Sequence, residues 1–486
     1  MNSQIALLAL LGSLGAGGAL AQDWPQWRGA NRDAQAASFK APKTWPKELT
    51  QKWKVTVGDG VATPALVGDK LFVFSREQGF EITRALNAAD GQELWQEKYE
   101  ALGASGPAAS FSGPRSSPAV ANGKVVTLGV RGMISALDAA TGKKLWRKDE
   151  FNAYPNFHPS SSPMIVDGLV IAQLGGRDNG ALVAYDLATG EMKWKTSGAT
   201  PSYASPVLMT VGGAKLIIAQ TDSRLLAVNA ADGKIVWESA AAPQGGGPGG
   251  GGGGGRGGGG GRDYKAATPV IEGSTIITAG RGVSAVRLEK SGDKFIAKEL
   301  WSNPDKTISF NSPTVKAERF YGLASNNELF CLSTTDGRTL WSAPFPAGGA
   351  APAVRAALEK LEFQTTVFGL PQDPPPGVPG RPGGQGGPGG QGGQGRPGGG
   401  GPGGFGGGRG GGMGGGGGGY GTIVDAGSVV FALTPGGQLL AIEPGGTELK
   451  TLGSYKVGTQ THAYPVVSGA RLFIKDKDSL TLWTVE

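Results

Sequence analysis

The chain has only two histidines, His158 and His462, and both fall in short connections that close on a proline. The first connection reads YPNFHPSSSP (154–163) and the second THAYP (461–465). Four more share the form: FSGPRSSP (111–118), PSYASP (201–206), RDYKAATP (262–269) and ISFNSP (308–313). Together they carry Arg115, Tyr203, Tyr264, Lys265, Asn311 and Tyr464 alongside the histidines, with Phe111 and Phe310 among them. A guanidinium and an ammonium receive anions, aromatic rings stack on a ring or a sugar, and imidazole ligates metal or moves a proton. Two histidines without a run of carboxylates make a thin ligand set, so no metal is expected. Loop residues of these types also cap strands without holding anything. The set is therefore a candidate binding mouth only if the fold gathers the connections.

What must gather them is a repeat. An eleven-residue phrase, ALDAATGKKLW at 136–146, returns as ALNAADGQELW (85–95), AYDLATGEMKW (184–194), AVNAADGKIVW (227–237) and CLSTTDGRTLW (331–341). Its Asp or Asn bonds a turn backbone, and its Gly supplies the positive φ of a bulged hairpin. The unit around 119–148 reads as four short strands, at 119–120, 125–129, 133–137 and 144–148, rich in β-branched residues and punctuated by Gly, Asn and Asp. Four antiparallel strands repeating every 40 to 50 residues predict β-propeller blades. The Pro opening each inner strand appears at Pro64, Pro118, Pro163, Pro206, Pro269, Pro313 and Pro465. A closing Trp appears at Trp95, Trp146, Trp194, Trp237, Trp301 and Trp341. A unit at 423–452 keeps the strand pattern without either landmark, and the last unit lacks an outer strand that 49–58, with Trp53, can supply. The expectation is an all-β, eight-bladed propeller whose ring is closed by strands from both termini, with seven blades as the alternative if 423–452 is something else.

The pattern A-x-D/N-x-x-T/D-G-x-x-x-W resembles the tryptophan-docking repeat of the quinoprotein (PQQ-like) β-propeller family, over nearly all of the chain after its leader. That resemblance implies that Trp53, Trp95, Trp146, Trp194, Trp237, Trp301 and Trp341 pack between neighbouring blades and are structural. It also aligns Cys331 with Ala136, a small buried position. The segments DWPQWRGANRD and HAYPVVSGARLFIKDKDSLTLW resemble an exported bacterial group of such propellers. The family has a catalytic branch and a non-catalytic one. The PQQ alcohol dehydrogenases hold the quinone at the axis beneath a vicinal disulfide, with Ca²⁺ and an Asp base. One cysteine excludes that pair, and no Cys-x-x-Cys-His occurs. The expectation is therefore no cofactor and no assigned catalytic residue, with PQQ and Ca²⁺ in an oxidoreductase as the alternative. The non-catalytic branch includes the propeller that assists outer-membrane β-barrel assembly. This implies a binding or scaffold module in the envelope, with an envelope protein, a small molecule or a carbohydrate as its partner.

Residues 1–21 read as a cleaved signal peptide, an apolar run ending in Ala-Leu-Ala, with no lipid-anchor Cys after it. A periplasmic or secreted monomer with no membrane span after cleavage is expected. An N-terminal extension at 22–48 then precedes the propeller at 49–486. Two glycine-rich insertions, 243–262 and 371–419, are expected to stay unordered. Their arginines, Arg256, Arg262, Arg381, Arg396 and Arg409, are too sparse for a nucleic-acid arm. The net charge of +7, spread without a basic block, agrees with no nucleic-acid partner. One helix is expected, at 352–363.

Overall fold

The computed structural model describes residues 23–151, 153–240, 265–345 and 420–485. The expected leader, both glycine-rich insertions, Tyr264 and the expected helix lie outside them. Among the described residues there are eight four-stranded antiparallel sheets, and within each the strands are ordered from inner to outer. They form the eight blades of a β-propeller, and the only helical element described is one turn at Gly106–Ala108. In blade 2 the strands are Ala119–Ala121, Lys124–Leu128, Ile134–Asp138 and Lys144–Lys148, within a residue or so of the sequence reading. The unit without landmarks is a full blade 7, from Thr422–Asp425 to Thr451–Lys456, which settles eight over seven. Blade 8 takes its outer strand from the other end of the chain: Thr50–Thr56 pairs with Ser479–Thr484, Val55 opposite Leu480. This closure pairs a strand edge that an open array would expose.

The repeated phrase builds the seams. Asp138 Oδ1 accepts hydrogen bonds from the Thr141 N–H and hydroxyl, both at 2.8 Å, which sets the turn. Gly142 sits at φ +75°, and a Cβ there would meet the Trp95 ring at 2.5 Å, so conformation and space both demand glycine. The Trp95 indole lies across this turn and donates to the Ala139 carbonyl at 3.2 Å. The same bond recurs from Trp53 to Ala88, Trp146 to Leu187, Trp194 to Ala230 and Trp301 to Thr334, at 2.7–3.3 Å. Each of these five Trp thus binds the next blade rather than its own. Trp341 docks on blade 7, which lacks the phrase, and its indole N–H has no partner. Trp237 packs against the long hairpin of blade 5, beside Val286 and Phe295. The hydrophobic core is accordingly divided among the seams, each cluster drawing on adjacent blades. Cys331 is fully buried in one of them, and burial raises its thiol to about 11.

Two devices surround the axis. The residue before six of the seven inner-strand prolines donates its N–H to a hydroxyl on the next blade. This belt runs Tyr464 to Thr63, Thr63 to Ser117, Ser117 to Ser162, Ser162 to Ser205, Ser205 to Thr268 and Thr268 to Ser312, at 2.9–3.0 Å. The N-terminal extension then crosses the ring. It pairs Trp24 with Leu66 of blade 1 and Ala34 and Ala36 with Asp425 of blade 7. Arg32 reaches the Ser162 and Pro163 carbonyls of blade 3, at 2.9 and 2.8 Å, and Arg28 reaches the Pro313 carbonyl of blade 6. Both guanidiniums are almost fully buried. The extension also repairs blade 7: Phe39 and Trp45 pack on Phe431, with Trp45 near Tyr455, where a docking Trp is missing. At the closing seam the buried Lys475 ammonium donates to the Gly58, Gly60, Asp476 and Lys477 carbonyls, at 2.6–3.2 Å.

Candidate functional site

Connections from outer to inner strands converge on one end of the ring and enclose a cavity of about 230 Å³. Its floor is Trp27 of the extension, edge-on to Tyr464 with centroids 5.7 Å apart. The wall between blades 6, 7 and 8 consists of Phe310 stacked on Tyr420 (4.5 Å, 3°), with His462 edge-on to both Tyr420 and Phe111. Arg115, Tyr203, Asn311, Ser312 and Thr422 are among its polar lining residues.

Of the eight residues singled out from the sequence, Arg115, Tyr203, Asn311, His462 and Tyr464 line this cavity, as do Phe111 and Phe310. Tyr264 lies outside the described residues. Lys265 is not in the lining; it holds φ +51° and its carbonyl accepts the Ala204 N–H. His158 is not in the lining either. It is buried, its Nε2 accepts the Ser105 N–H at 3.1 Å, and its Nδ1 therefore donates to the Val130 carbonyl at 2.9 Å. The expectation of His158 as a mouth ligand is corrected: both ring nitrogens hold backbone groups of neighbouring loops, and neither remains for a ligand.

Arg115 is partly committed as well. Its guanidinium donates to the Ala108 and Phe111 carbonyls at 2.7 and 2.9 Å, bracing its own loop, and burial lowers its pKa. His462 is driven down to about 4, first by burial and then by the charge of Arg115, so it is a neutral imidazole at physiological pH. Asn311 donates to the Leu323 carbonyl and Tyr464 to the Ser312 carbonyl, which fixes both against the wall. Sequence reasoning missed Trp27, Tyr420 and Thr422. The first belongs to the extension, whose density of Trp and Arg was its only signal. The other two come after a glycine-rich tract, with no landmark to place them.

The quinone and calcium of the family's catalytic branch fit this lining poorly. Among the described residues around the cavity none is a carboxylate, so nothing there ligates Ca²⁺ or serves as an Asp base. Among the described residues no cluster of three or more His, Cys, Asp or Glu could hold a metal.

A family model described as "Outer membrane protein assembly factor BamB" matches residues 48–149 and 79–343, more than half of the chain. The assembly factor BamB of Yersinia pestis is 25% identical over 308 residues, covering 60% of this chain and 70% of its own length. The quinohemoprotein alcohol dehydrogenase ADH-IIG of Pseudomonas putida is 28% identical over 152 residues, 30% of this chain but only 21% of that enzyme. Among solved structures, BamB from Moraxella catarrhalis superposes with a TM-score of 0.52 at 14% identity, over 90% of this chain and 99% of that one. Quinohemoprotein alcohol dehydrogenase from Comamonas testosteroni gives 0.56 at 14% identity, over 95% and 80%. Such identities show a shared fold and nothing further about chemistry. The match along the repeats is what assigns kinship: the chain belongs to the PQQ-like β-propeller family described by the outer membrane protein assembly factor BamB.

Proposed function

We propose that this protein is a binding and scaffold module of the cell envelope, of the assembly-factor kind, acting in the periplasm after removal of residues 1–21. The carrying observation is the family match over residues 48–343, the span that builds the first six blades. The mouth supports the same reading. It offers aromatic surface, a neutral imidazole and an arginine already tied to its loop, equipment for holding a partner, with no carboxylate base among the described lining residues. The oxidoreductase alternative draws on a match to one fifth of the dehydrogenase, and no carboxylate stands among the described lining residues to serve as its base. The test is deletion in the organism that makes the protein, with quantitation of outer-membrane β-barrel proteins. A drop in their folded amounts, restored by the full chain, is expected. Unchanged barrels, together with dye-linked alcohol oxidation by the purified protein given PQQ and Ca²⁺, would overturn the proposal. N-terminal sequencing of the mature protein should start at Gln22.

A further inference from the structure

The size and polarity of the mouth cavity narrow the choice of occupant, and naming that occupant deepens the assembly-factor reading and rests on it. At about 230 Å³, the cavity lies below the ~300–1,000 Å³ of sites that hold drug-sized molecules. It takes one ring system rather than a large polycyclic cofactor. Its walls are themselves rings, Phe310 stacked on Tyr420 and His462 edge-on to Phe111, with Trp27 beneath. Aromatic faces and edges prefer further rings at offset or perpendicular geometry, so an aromatic guest suits them better than an aliphatic one. A cationic guest is disfavoured, since no carboxylate among the described lining residues awaits it and Arg115 already places a positive charge there.

The cavity is nevertheless not purely apolar. Thr422 lines it and is 5% exposed, and its Oγ1 has no hydrogen-bond partner. Buried hydroxyls are almost always paired, so this orphan in the cavity wall is a group that a guest pressing on that wall can complete. His462 stands in the same wall as a neutral imidazole, which offers one donor and one acceptor. The guest that satisfies both is a ring with a polar edge, a phenol or an indole. Trp27 of the extension lines the cavity, and a cavity of this volume takes the ring while the chain that carries it stays outside. The relatives are named for the assembly of outer-membrane proteins, and membrane-spanning barrels carry girdles of aromatic residues along their strands.

We infer that the mouth cavity receives a tyrosine or tryptophan side chain presented by an extended polypeptide, with its ring against the Phe310–Tyr420 pair above Trp27 and its O–H or N–H toward His462 and Thr422. A free phenolic molecule shares this chemistry, and the test separates the two sources. Fluorescence anisotropy follows the full chain binding dye-labelled nine-residue peptides of alternating Thr and Val whose central residue is Tyr, Trp, Phe or Ala. N-acetyl-tyrosinamide competes as the free ring. The Tyr and Trp peptides are expected to bind at least tenfold more tightly than the Ala peptide, and the free ring to compete only at far higher concentration. Thr422→Val and His462→Leu are each expected to weaken the Tyr peptide severalfold and to leave the Phe peptide within twofold, a selectivity that mere loss of structure does not produce. Thr422→Val removes an unpaired hydroxyl and so keeps the fold. Equal binding of the Tyr and Ala peptides, or a Tyr peptide indifferent to both substitutions, overturns the inference. Binding of the free ring as tight as that of the peptide overturns the polypeptide source. Tyr selectivity with unaffected barrel proteins in the deletion strain overturns the assembly reading and leaves the cavity assignment standing. Barrel loss without Tyr selectivity does the reverse.

Discussion

Trp146→Phe and Trp341→Phe form a matched pair that isolates one hydrogen bond of the seam. Both rings occupy the same place in their phrases and are 7% and 6% exposed, so truncating indole to phenyl removes the same atoms from equally dry surroundings. The burial and cavity losses nearly cancel between them. What differs is the indole N–H. That of Trp146 donates to the Leu187 carbonyl at 3.0 Å, and Leu187 is 3% exposed, so water has little access to the abandoned acceptor. Leaving such a group unpaired costs about 1–3 kcal/mol. The Trp341 N–H has no partner, because blade 7 lacks the turn that would present a carbonyl. Its removal leaves nothing unpaired and relieves a buried donor. Trp146→Phe should therefore destabilise the chain by about 1–3 kcal/mol more than Trp341→Phe, measured as urea unfolding followed by circular dichroism. Equal losses, or a larger loss at Trp341, would refute the account of the seams as docking through the indole N–H.

Lys475→Met should be far more damaging than a surface lysine substitution, by about 3 kcal/mol or more. It strips the ammonium from the Gly58, Gly60, Asp476 and Lys477 carbonyls at the seam where the termini meet; thermal unfolding of the full chain measures it. Ser162→Ala leaves the Ser117 N–H without its acceptor in the belt and should cost about 1–3 kcal/mol, whereas Ser223→Ala, at a part-exposed turn, should cost little. Acid should weaken the fold through His462. Its folded pKa, about 4, lies below the unfolded value of ~6.5, so its contribution is complete above pH 6.5 and is lost as pH falls from there through 4. The lost stability is at most about 3 kcal/mol. The charge facing it is Arg115, and Tyr420 and Phe111 pack on its ring. His462→Leu should flatten the stability–pH profile over that range, and an unchanged profile would count against a buried neutral imidazole.

The ring was legible in the sequence because its information is local and repeated. Pro118, Asp138, Gly142 and Trp146 each do within one unit what their counterparts do in the others, so spacing alone located strands, turns and seams. The extension was not legible. Its bonds run from Arg28 and Arg32 to backbone carbonyls in blades 6 and 3, and a carbonyl leaves no trace in the choice of residue. His158 failed for a related reason. Its residue type advertised chemistry, yet both nitrogens are engaged by the backbone of Ser105 and Val130. Trp45 and Phe39 stand in for a docking Trp although they lie at the opposite end of the chain from Phe431, a substitution that no periodicity records.

The irregularity that Phe39 and Trp45 cover lies in blade 7, whose leading residues Tyr420 and Thr422 line the cavity. In the regular blades the residue before proline carries the belt hydroxyl. Register places Thr422 at that point, since Val424 pairs with Phe431 and Phe431 with Ala441, as Ala65 pairs with Phe72 and Phe72 with Ala85. Thr422 keeps a hydroxyl there, but its Oγ1 has no hydrogen-bond partner, and the residue before it is Gly421, held at φ +153° with Leu323 2.8 Å from where a Cβ would stand. The belt stops at Ser312, and the Tyr464 phenol crosses to the Ser312 carbonyl instead. The groups that distinguish the cavity, Tyr420, Thr422 and His462, all lie beside this interruption. The regular units supply rigidity with little individuality, because a surface repeated around an axis offers every position the same chemistry. Asymmetry enters where the repeat fails, and Phe39 and Trp45 offset the local loss of packing that the failure brings. A defect buttressed from outside the repeat is what a binding site built into a symmetric ring requires.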